Sequence, residues 1–384
     1  MSVIATRDRR PPASTNGSAL APGAASEGAG AAIPPVPFDH EELVIKRGRR
    51  SGRHVIVAVH STTLGPALGG VRLWRYAAPT DGARDALRLA RGMTFKAAAA
   101  GLDLGGGKGV ICAPAGAATD GTQRRDMLLD FGDLVDSLGG RYITAEDVGI
   151  SPSDLVVIRE RTEHVTGMPA DRGGSGDPSP STALGVEAAM RACARERFGS
   201  SRLAGRRVVV SGLGHVGSNL ARRLSLAGAE LRVSDIDRER RSVADALGAE
   251  WIAPGDDLVA ECDFLAPCAL GGAIDASNLP LLRCEIVCGC ANNQLADEAL
   301  AGDLAERGIL YAPDFVVNAG GLIHVHMEIR GYPEEQARRL ALGTEDNLDR
   351  VLAAARDRSI TPLEAARELA RERLEAAGGA RAAA

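Results

Sequence analysis

Residues 208–217 read Val-Val-Val-Ser-Gly-Leu-Gly-His-Val-Gly, and this stretch decides the fold. It places a G-x-G-x-x-G motif directly between a β-branched run and an amphipathic helical pattern, which is the context typical of dinucleotide binding. Gly212 permits a tight turn, Gly214 lets the backbone approach a pyrophosphate, and Gly217 lets the helix pack closely on the strand. The same glycines also suit an ordinary strand–helix turn in an α/β protein.

Strands and helices alternate around the glycine motif. The pattern predicts a strand at residues 207–211, a helix at 215–227 and a second strand at 230–235. Further strands are predicted at residues 263–266, 285–288 and 309–311. Elements of these lengths in this order indicate a parallel sheet with helices on both faces, which is a Rossmann dinucleotide-binding domain.

Asp235 ends the second of these strands and bears on the cofactor. A carboxylate at this place accepts hydrogen bonds from an adenosine ribose and repels a 2′-phosphate, so we predict NAD rather than NADP. Arg238, Arg240 and Arg241 argue the other way, because cations attract a 2′-phosphate. How strict the preference is stays open.

A second stretch carries two lysines among small and apolar residues. Residues 93–111 read Met-Thr-Phe-Lys-Ala-Ala-Ala-Ala-Gly-Leu-Asp-Leu-Gly-Gly-Gly-Lys-Gly-Val-Ile. Lys96 lies near the end of a helix predicted to begin at Asp81, and Lys108 follows a glycine turn. Burial lowers the pKa of a lysine, so one of the two suits a general base. The other can keep its charge and hold an anion, although a lysine near a helix end is more commonly a solvated surface group.

The composition argues against several classes of protein. Lys and Arg number 45 against 50 Asp and Glu, a formal net charge of −5, so nothing resembles the basic footprint of a nucleic-acid binder. No run approaches the apolar length of a membrane span. The seven cysteines suit free thiols in a reducing cytoplasm. Cys284, Cys288 and Cys290 would share one side of a strand, but no fourth ligand at a zinc spacing accompanies them, so we predict no metal.

Several further motifs occur in order along the chain. They are Leu-Gly-Gly-Val-Arg-Leu-Trp at residues 68–74, Tyr-Ile-Thr-Ala-Glu-Asp-Val-Gly at 142–149, Gly-Asp-Pro-Ser-Pro at 176–180, Ala-Pro-Cys-Ala-Leu-Gly at 266–271, Ala-Asn-Asn-Gln-Leu at 291–295 and Asn-Ala-Gly-Gly at 318–321. With the two-lysine stretch they resemble the amino-acid dehydrogenases of the glutamate/leucine/phenylalanine/valine type, most closely the leucine and valine branch. That family catalyses the reversible NAD-linked oxidative deamination of an L-amino acid to a 2-oxo acid and ammonia.

The resemblance implies roles for the matching positions. Lys96 looks like the lysine that binds the substrate carboxylate, and Lys108 looks like the catalytic lysine. Asp147 looks like the partner that moves a proton to or from the amino nitrogen, and Gly69 and Gly70 resemble the backbone that lines the substrate site. The cofactor-binding positions would be Thr182, Gly212, Leu213, Gly214, His215, Val216, Gly217, Ser218, Asp235, Cys268, Ala269, Asn292 and Asn318.

The side-chain pocket implied by the resemblance is apolar. Its lining residues would be Leu68, Ala145, Leu322 and Val325. A pocket for glutamate needs a cation for the distal carboxylate, so these residues favour leucine, valine or isoleucine. One methylene separates such substrates by only about 1–3 kcal/mol, which leaves the choice among them open. His324 and His326 depart from the family's pattern, and packing histidines are the simpler interpretation of both.

The predicted organisation is a disordered tail, residues 1–37, followed by two α/β domains separated by a catalytic cleft. We expect residues 38–167 with 361–384 to bind substrate and form a homo-oligomer, and residues 168–360 to form the Rossmann domain. Two other functions remain open. One is a member of the same family diverted to an unusual or aromatic amino acid, and the other is a catalytically silent dinucleotide sensor.

Overall fold

The computed structural model describes residues 38–113 and 121–382. These residues form two α/β domains, each built around its own sheet and its own apolar core. The predicted disordered tail lies outside the described residues. Within the described ranges, no helix combines the length and the apolar character needed to cross a membrane.

The first sheet has five strands. They are β1 (Glu42–Arg47), β2 (His54–Ser61), β3 (Ala67–Trp74), β4 (Gly105–Cys112) and β5 (Tyr142–Glu146). Their order is β1-β2-β4-β3-β5, with β3 parallel to β4 and β5, and with β2 antiparallel to β1 and β4. The chain reverses between β1 and β2, where Gly52 has φ +67°.

Side chains alternate between the two faces of this sheet. Its helices are α1 (Pro79–Ala99), α2 (Gly121–Asp136) and α3 (Pro152–Arg159). Val71 of β3 packs into the core beneath α2 and α3, whereas Arg72 faces α1 and forms an ion pair with Asp85. A Cβ at Gly106 of β4 would lie 2.1 Å from the backbone nitrogen of Thr94. Glycine therefore lets α1 approach β4 closely, which brings the two lysines of this region to one face.

Helix α1 begins two residues before Asp81, the residue predicted to cap it. Pro79 is the first helical residue, and the Asp81 carboxylate accepts the N–H of Ala78 at 3.0 Å. Proline suits the first position because its fixed φ matches the helix, and an acid in the first turn stabilises the exposed N–H groups. The helix ends at Ala99, and Gly101 follows with φ +73°, so Lys96 lies in the last turn as predicted.

The second sheet is entirely parallel. Its strands are β6 (Arg207–Ser211), β7 (Glu230–Ser234), β8 (Glu250–Trp251), β9 (Cys262–Pro267), β10 (Cys284–Val287) and β11 (Leu310–Tyr311). Their order is β11-β10-β9-β6-β7-β8, so the strand order reverses beside β6 and creates a switch point at its carboxyl end. This confirms the predicted Rossmann sheet. The short strand β8 was not predicted.

Helices cover both faces of the second sheet and connect it to the first. They are α4 (Ser179–Phe198), α5 (His215–Leu226), α6 (Arg241–Leu247), α7 (Asp256–Val259), α8 (Leu300–Glu306), α9 (Asp314–Val317), α10 (Gly320–Ile329), α11 (Glu334–Leu342), α12 (Thr344–Arg358) and α13 (Pro362–Ala382). Helix α13 contacts both domains: Ala365 and Ala366 lie in the core of the second, while Arg373 donates to the carbonyl of Ala98 on α1 at 3.0 Å. The exact domain boundaries stay a prediction.

Candidate active site

The buried Lys108 forms an ion pair with the partly exposed Asp147, with 2.9 Å between Nζ and Oδ2. Lys108 lies on β4, and Asp147 directly follows β5. Burial lowers the pKa of Lys108, and the nearby Arg72 charge lowers it further, while Asp147 opposes the shift. Burial alone would raise the pKa of Asp147, but Lys108 and Arg72 hold it below its usual range. The pair therefore combines a weakened lysine cation with an ionised carboxylate.

Strand β3 lies between the two strands that carry this pair, and its glycines are tightly enclosed. A Cβ at Gly69 would lie 1.7 Å from the carbonyl oxygen of Gly107, and one at Gly70 would lie 2.3 Å from that of Glu146. The Tyr142 hydroxyl also donates to the carbonyl of Gly69 at 2.5 Å. Any side chain at these two positions would push β4 and β5 apart, so the glycines set the spacing of the pair.

Lys96 approaches the same face from the last turn of α1. Burial lowers its pKa to about 8, and the Lys108 charge contributes, whereas Asp314 of α9 opposes the shift. Burial in turn raises the pKa of Asp314, with the Lys96 charge opposing. A half-buried ammonium in this position has an unmet need for an anion, which a substrate carboxylate would satisfy.

Arg72 was missed as a site residue from the sequence, although its motif was recognised. Its Nε donates to Oδ2 of Asp147 at 2.9 Å, and its Nη1 donates to Oδ2 of Asp85 at 2.8 Å. One signal could have revealed it. In the run at residues 68–74, Arg72 is the charged residue in an otherwise uncharged strand, and the two-residue period of a strand puts it on the same face as Leu68 and Gly70.

The apolar residues predicted to line the pocket come together between the domains. Leu68, Leu322 and Val325 belong to one apolar cluster that also contains Met93 and Ile143. Ala145 is buried two residues after Ile143 on β5, and thus faces the same side of that strand. Met93 and Ile143 were not predicted as pocket residues.

The glycine turn has the geometry that a dinucleotide phosphate requires. Gly212 has φ +107°, and a Cβ there would lie 2.7 Å from the backbone nitrogen of Ala269. A Cβ at Gly217 would lie 2.0 Å from the carbonyl oxygen of Gly212, so close packing of α5 on β6 demands glycine. Apart from its chain neighbours, no described residue has an atom within 4 Å of a Cβ placed at Gly214, which leaves the N-terminus of α5 open to a ligand.

Asp235 lies directly after β7 and helps to hold the glycine turn. Its Oδ2 accepts the N–H of Leu213 at 2.6 Å, and its Oδ1 accepts the N–H of Asp237 at 2.8 Å. Each oxygen retains a second lone pair, so these bonds are compatible with a ribose hydroxyl as a further donor. Ser218 supports the same turn, since its hydroxyl donates to the carbonyl of Leu213 at 2.7 Å.

The other predicted cofactor residues gather at the carboxyl ends of β9 and β10. Asn318 Nδ2 donates to Oδ1 of Asn292 at 2.8 Å, while its own Oδ1 is buried and accepts no hydrogen bond from the described residues. Such an orphaned acceptor fits an amide donor on a ligand. Cys268 packs beside Gly217, in the same region as Ala269.

The side chains at three other predicted cofactor positions lie in different surroundings. His215 has a side chain that is 84% exposed, at 3.9 Å from the Asp177 carboxylate. Val216 packs against the core of the second domain. Thr182, on α4, donates its hydroxyl to the carbonyl of Pro178 at 3.1 Å.

The two unexpected histidines are buried on α10. His324 Nδ1 lies 3.0 Å from the Tyr332 hydroxyl and 3.1 Å from the Ser181 hydroxyl, and its Nε2 lies 3.2 Å from the carbonyl of Ser175. His326 has a buried Nδ1 that forms no hydrogen bond with any residue in the described ranges. In the described ranges, no group of three or more His, Cys, Asp or Glu side chains could hold a metal ion.

The switch-point sheet and the lysine–carboxylate pair define a nicotinamide-dependent dehydrogenase. A family model described as the Glu/Leu/Phe/Val dehydrogenase dimerisation domain matches residues 41–164, and the Glutamate/Leucine/Phenylalanine/Valine dehydrogenase model matches residues 230–381. The NAD-binding domain model of D-isomer specific 2-hydroxyacid dehydrogenases matches residues 185–270. The chain belongs to the glutamate/leucine/phenylalanine/valine dehydrogenase family and is an amino-acid dehydrogenase that acts on a CH–NH2 group, as its motifs predict.

Individual relatives match along most of their length. Leucine dehydrogenase of Geobacillus stearothermophilus is 45% identical over 344 residues, which cover 88% of this chain and 91% of the relative. Valine dehydrogenase of Streptomyces virginiae is 42% identical over 339 residues, which cover 87% and 94%. The crystal structure of L-tryptophan dehydrogenase from Nostoc punctiforme matches with a TM-score of 0.79 at 40% identity, covering 88% of this chain and 97% of that one.

Proposed function

We propose that this chain catalyses the reversible, NAD-linked oxidative deamination of leucine, valine or isoleucine to the 2-oxo acid and ammonia. The observation that carries the proposal is the Lys108–Asp147 pair, at 2.9 Å, on the same face of the first sheet as the apolar cluster around Leu68. The similarity to a leucine dehydrogenase at 45% identity and to a valine dehydrogenase at 42% supports the substrate class.

In the proposed reaction, Lys96 binds the substrate carboxylate and fixes the position of Cα, with the backbone of Gly69 and Gly70 lining the site. A nicotinamide cofactor, which the turn from Gly212 to Gly217 would hold, would supply the acceptor for the hydride on Cα. Lys108, as a neutral amine, takes a proton from the water that attacks the resulting iminium carbon. Asp147 accepts the proton that the substrate ammonium loses and returns it to the departing nitrogen. As the C–N bond breaks and the carbonyl forms, the hydroxyl proton passes to the freed Asp147 carboxylate and from there to the released ammonia, while Lys108 gives its proton to solvent. One water is consumed, and the 2-oxo acid, ammonium, the reduced cofactor and one proton are formed.

The proposed pocket consists of Leu68, Ala145, Leu322 and Val325. All four side chains are apolar, so none of them offers a cation to the distal carboxylate of a substrate such as glutamate. An aliphatic side chain, by contrast, buries its apolar surface at no polar cost. A specific observation favours a second candidate, since L-tryptophan dehydrogenase of Nostoc punctiforme is 42% identical to this chain. An aromatic L-amino acid is therefore the alternative substrate.

For the cofactor, we propose NAD rather than NADP. The Asp235 carboxylate is held beside the glycine turn by the N–H of Leu213, where it would repel a 2′-phosphate. The proposed phosphate-binding residues are those of the turn and of the start of α5, Gly212 to Ser218. Thr182, Cys268, Ala269, Asn292 and Asn318 would surround the nicotinamide end, with the free Oδ1 of Asn318 as an acceptor for its carboxamide.

We also propose that the enzyme is a cytoplasmic homo-oligomer that assembles through its first domain, residues 38–167 with 361–384. The family model matching residues 41–164 is described as a dimerisation domain, which supports assembly at this end of the chain. All seven cysteines are free thiols, and free thiols suit a reducing compartment.

An assay of the purified full chain with NAD, and separately NADP, tests the proposal. Leucine, valine, isoleucine, phenylalanine and tryptophan are supplied in turn, and absorbance of the reduced cofactor is followed. We expect kcat/KM for the best aliphatic substrate to exceed that for either aromatic one by at least about tenfold, as side-chain pockets commonly achieve. A preference for tryptophan or phenylalanine would establish the second candidate. Absence of turnover on all five, with cofactor binding intact, would refute both.

The variant Lys108→Ala separates an enzyme from a silent dinucleotide sensor. Loss of the proposed base should reduce turnover by about 10²- to 10⁴-fold while cofactor binding is kept. Lys46→Ala is the matched control, because Lys46 lies on β1 and donates to the Ser137 hydroxyl at an exposed site. A sensor would show the same cofactor affinity in both variants and no turnover to lose.

A further inference from the structure

Asp147 is held by two cations, and the second has no part in the reaction proposed so far. Arg72 Nε donates to Oδ2 of Asp147 at 2.9 Å, and Lys108 Nζ meets the same oxygen at 2.9 Å. The two cations differ in chemistry. A guanidinium keeps its charge at every working pH, whereas a lysine that serves as a base has to lose its proton.

The other end of Arg72 is fixed as well. Its Nη1 donates to Oδ2 of Asp85 at 2.8 Å, and the Tyr76 hydroxyl donates to that oxygen at 2.7 Å. Arg88 Nη2 donates to the second oxygen of Asp85 at 2.9 Å. The side chains of Arg72 and Asp85 are only 22% and 17% exposed. An arginine bonded at both ends between two carboxylates cannot swing away, so α1 fixes the direction in which Nε meets Asp147.

A second cation beside Asp147 is needed because Lys108, as the proposed base, is charged in one part of the reaction and neutral in another. When Lys108 is a neutral amine, it no longer neutralises the charge of Asp147. A carboxylate at this depth without a cation would take up a proton, and an uncompensated charge there is destabilising. Arg72 neutralises Asp147 in both states of Lys108. Its charge also opposes a second cation nearby, which helps Lys108 to release its proton.

We propose that Arg72, held in place by Asp85, is a positioning residue that keeps Asp147 aligned, and keeps it ionised until it accepts the substrate's proton, whether Lys108 is charged or neutral. The inference rests on the proposed function of Lys108 and Asp147. In the part of the chain that the structure describes, the other charged or titratable groups that interact with the pair are Lys96, Asp85, Tyr142 and Glu146. Among them Lys96 is the one cation, and it makes no ion pair with Asp147, so none of these groups can replace Arg72.

The test is the dependence of kcat on pH for Arg72→Gln, measured with the best amino-acid substrate and saturating cofactor. The kcat profile reports groups in the enzyme–substrate complex. Removing the guanidinium charge raises the pKa of Lys108. We therefore expect the acid limb, the part of the profile where kcat falls as the pH is lowered, to move to higher pH by about one unit. At a pH below this limb, kcat of the variant should be about tenfold lower than that of the wild type. KM for the cofactor should stay within about threefold, because Arg72 touches neither cofactor nor substrate in the proposal.

Arg88→Gln is the matched control. It also removes one guanidinium charge, but Arg88 contacts Asp85 on the exposed side of α1 and does not contact Asp147. The acid limb of this variant should stay at its wild-type position. An Arg72→Gln enzyme that is folded and has the wild-type acid limb and kcat would overturn the inference. So would an equal shift in both variants, because that would reflect general surface charge.

Arg72→Lys covers the case in which Arg72→Gln does not fold. A lysine keeps the charge but cannot bond both carboxylates, so we expect the acid limb to return close to its wild-type position while kcat stays several-fold low. A wild-type kcat and profile for this variant would equally refute the inference. The proposed function fails separately, and visibly, if the wild-type chain oxidises no amino acid.

Discussion

The carboxylate of Glu328 binds Ser175 twice, through the backbone N–H at 2.9 Å and through the hydroxyl at 2.6 Å. Its other oxygen accepts the N–H groups of Gly167 and Met168 at 2.9 and 3.2 Å. Glu328 lies on α10, the helix that carries Leu322 and Val325, and its partners belong to the segment between the two sheets. One side chain therefore ties the proposed pocket to the connection between the domains.

Replacing Glu328 should destabilise the protein and loosen the pocket. For Glu328→Ala we expect the free energy of unfolding to fall by about 3 kcal/mol, since several hydrogen bonds to a charged acceptor are lost together. KM for the amino acid should rise, because α10 loses the hydrogen bonds that connect it to the segment between the two sheets. Thermal unfolding and steady-state kinetics measure both. Glu335→Ala, at an exposed position on α11, should change stability by less than about 0.5 kcal/mol, and equal effects of the two variants would refute the expectation.

Lys96 should make substrate binding depend on pH. Its pKa lies at about 8, mainly because of burial, so the free enzyme loses the ammonium as the pH rises through that value. The proposed carboxylate anchor then weakens, and kcat/KM for the amino acid should fall on the alkaline side. Lys96→Arg keeps its charge, and its alkaline limb should move upward by at least about two units. Identical alkaline limbs for wild type and variant would exclude Lys96 as the anchor.

Alanine substitutions at two glycines of the nucleotide turn should have different effects, one on stability and the other on cofactor binding. A Cβ at Gly217 would lie 2.0 Å from a backbone oxygen, so Gly217→Ala should lower stability by about 1–3 kcal/mol. A Cβ at Gly214 meets no atom of the other described residues within 4 Å, its chain neighbours aside, so Gly214→Ala should fold normally and still weaken cofactor binding. Melting temperature and cofactor titration separate the two effects. Normal cofactor affinity in Gly214→Ala would place the pyrophosphate elsewhere.

Enlarging the pocket should shift the preference between substrates. Leu322→Ala removes three carbons from the apolar cluster between the domains, so we expect the ratio of kcat/KM for phenylalanine over leucine to rise by at least about tenfold. Leu352→Ala makes the same deletion in the core of the second domain, away from this cluster. That control should lose stability without changing the ratio. A ratio that moves equally in both variants would mean that Leu322 does not line the pocket.

Local signals predicted much of this molecule. The glycine turn and the two-lysine stretch each lie within about twenty consecutive residues, and their chemistry depends on neighbours in the chain. Five of the six strands of the second sheet were predicted to within a residue or two, because buried parallel strands are continuous apolar runs, whereas the two-residue strand β8 was not predicted. The start of α1 was wrong by two residues, because Asp81 stabilises the first turn from inside it.

The features of the site that were not predicted depend on contacts between residues that are far apart in the sequence. Arg72 meets Asp147 across 75 residues and Asp85 across 13, and no periodicity within one element encodes either pair. Met93 and Ile143 join the apolar cluster only because α1 and β5 meet α10 there. The assignments of Lys108, Lys96 and Asp147 came from a resemblance, and their geometry adds the second cation that the resemblance did not indicate.

Helix α13 has a consequence for the order in which the chain folds. Arg373 donates to the carbonyl of Ala98 and to the carboxylate of Asp103, so it holds the end of the helix that carries Lys96 across 275 and 270 residues. During synthesis the first sheet leaves the ribosome long before Arg373 does, and domains tend to fold as they emerge. The last turn of α1 therefore lacks its contacts with Arg373 until the whole nucleotide-binding region has been translated. We therefore expect the proposed substrate anchor, Lys96, to be one of the last parts of the site to be completed.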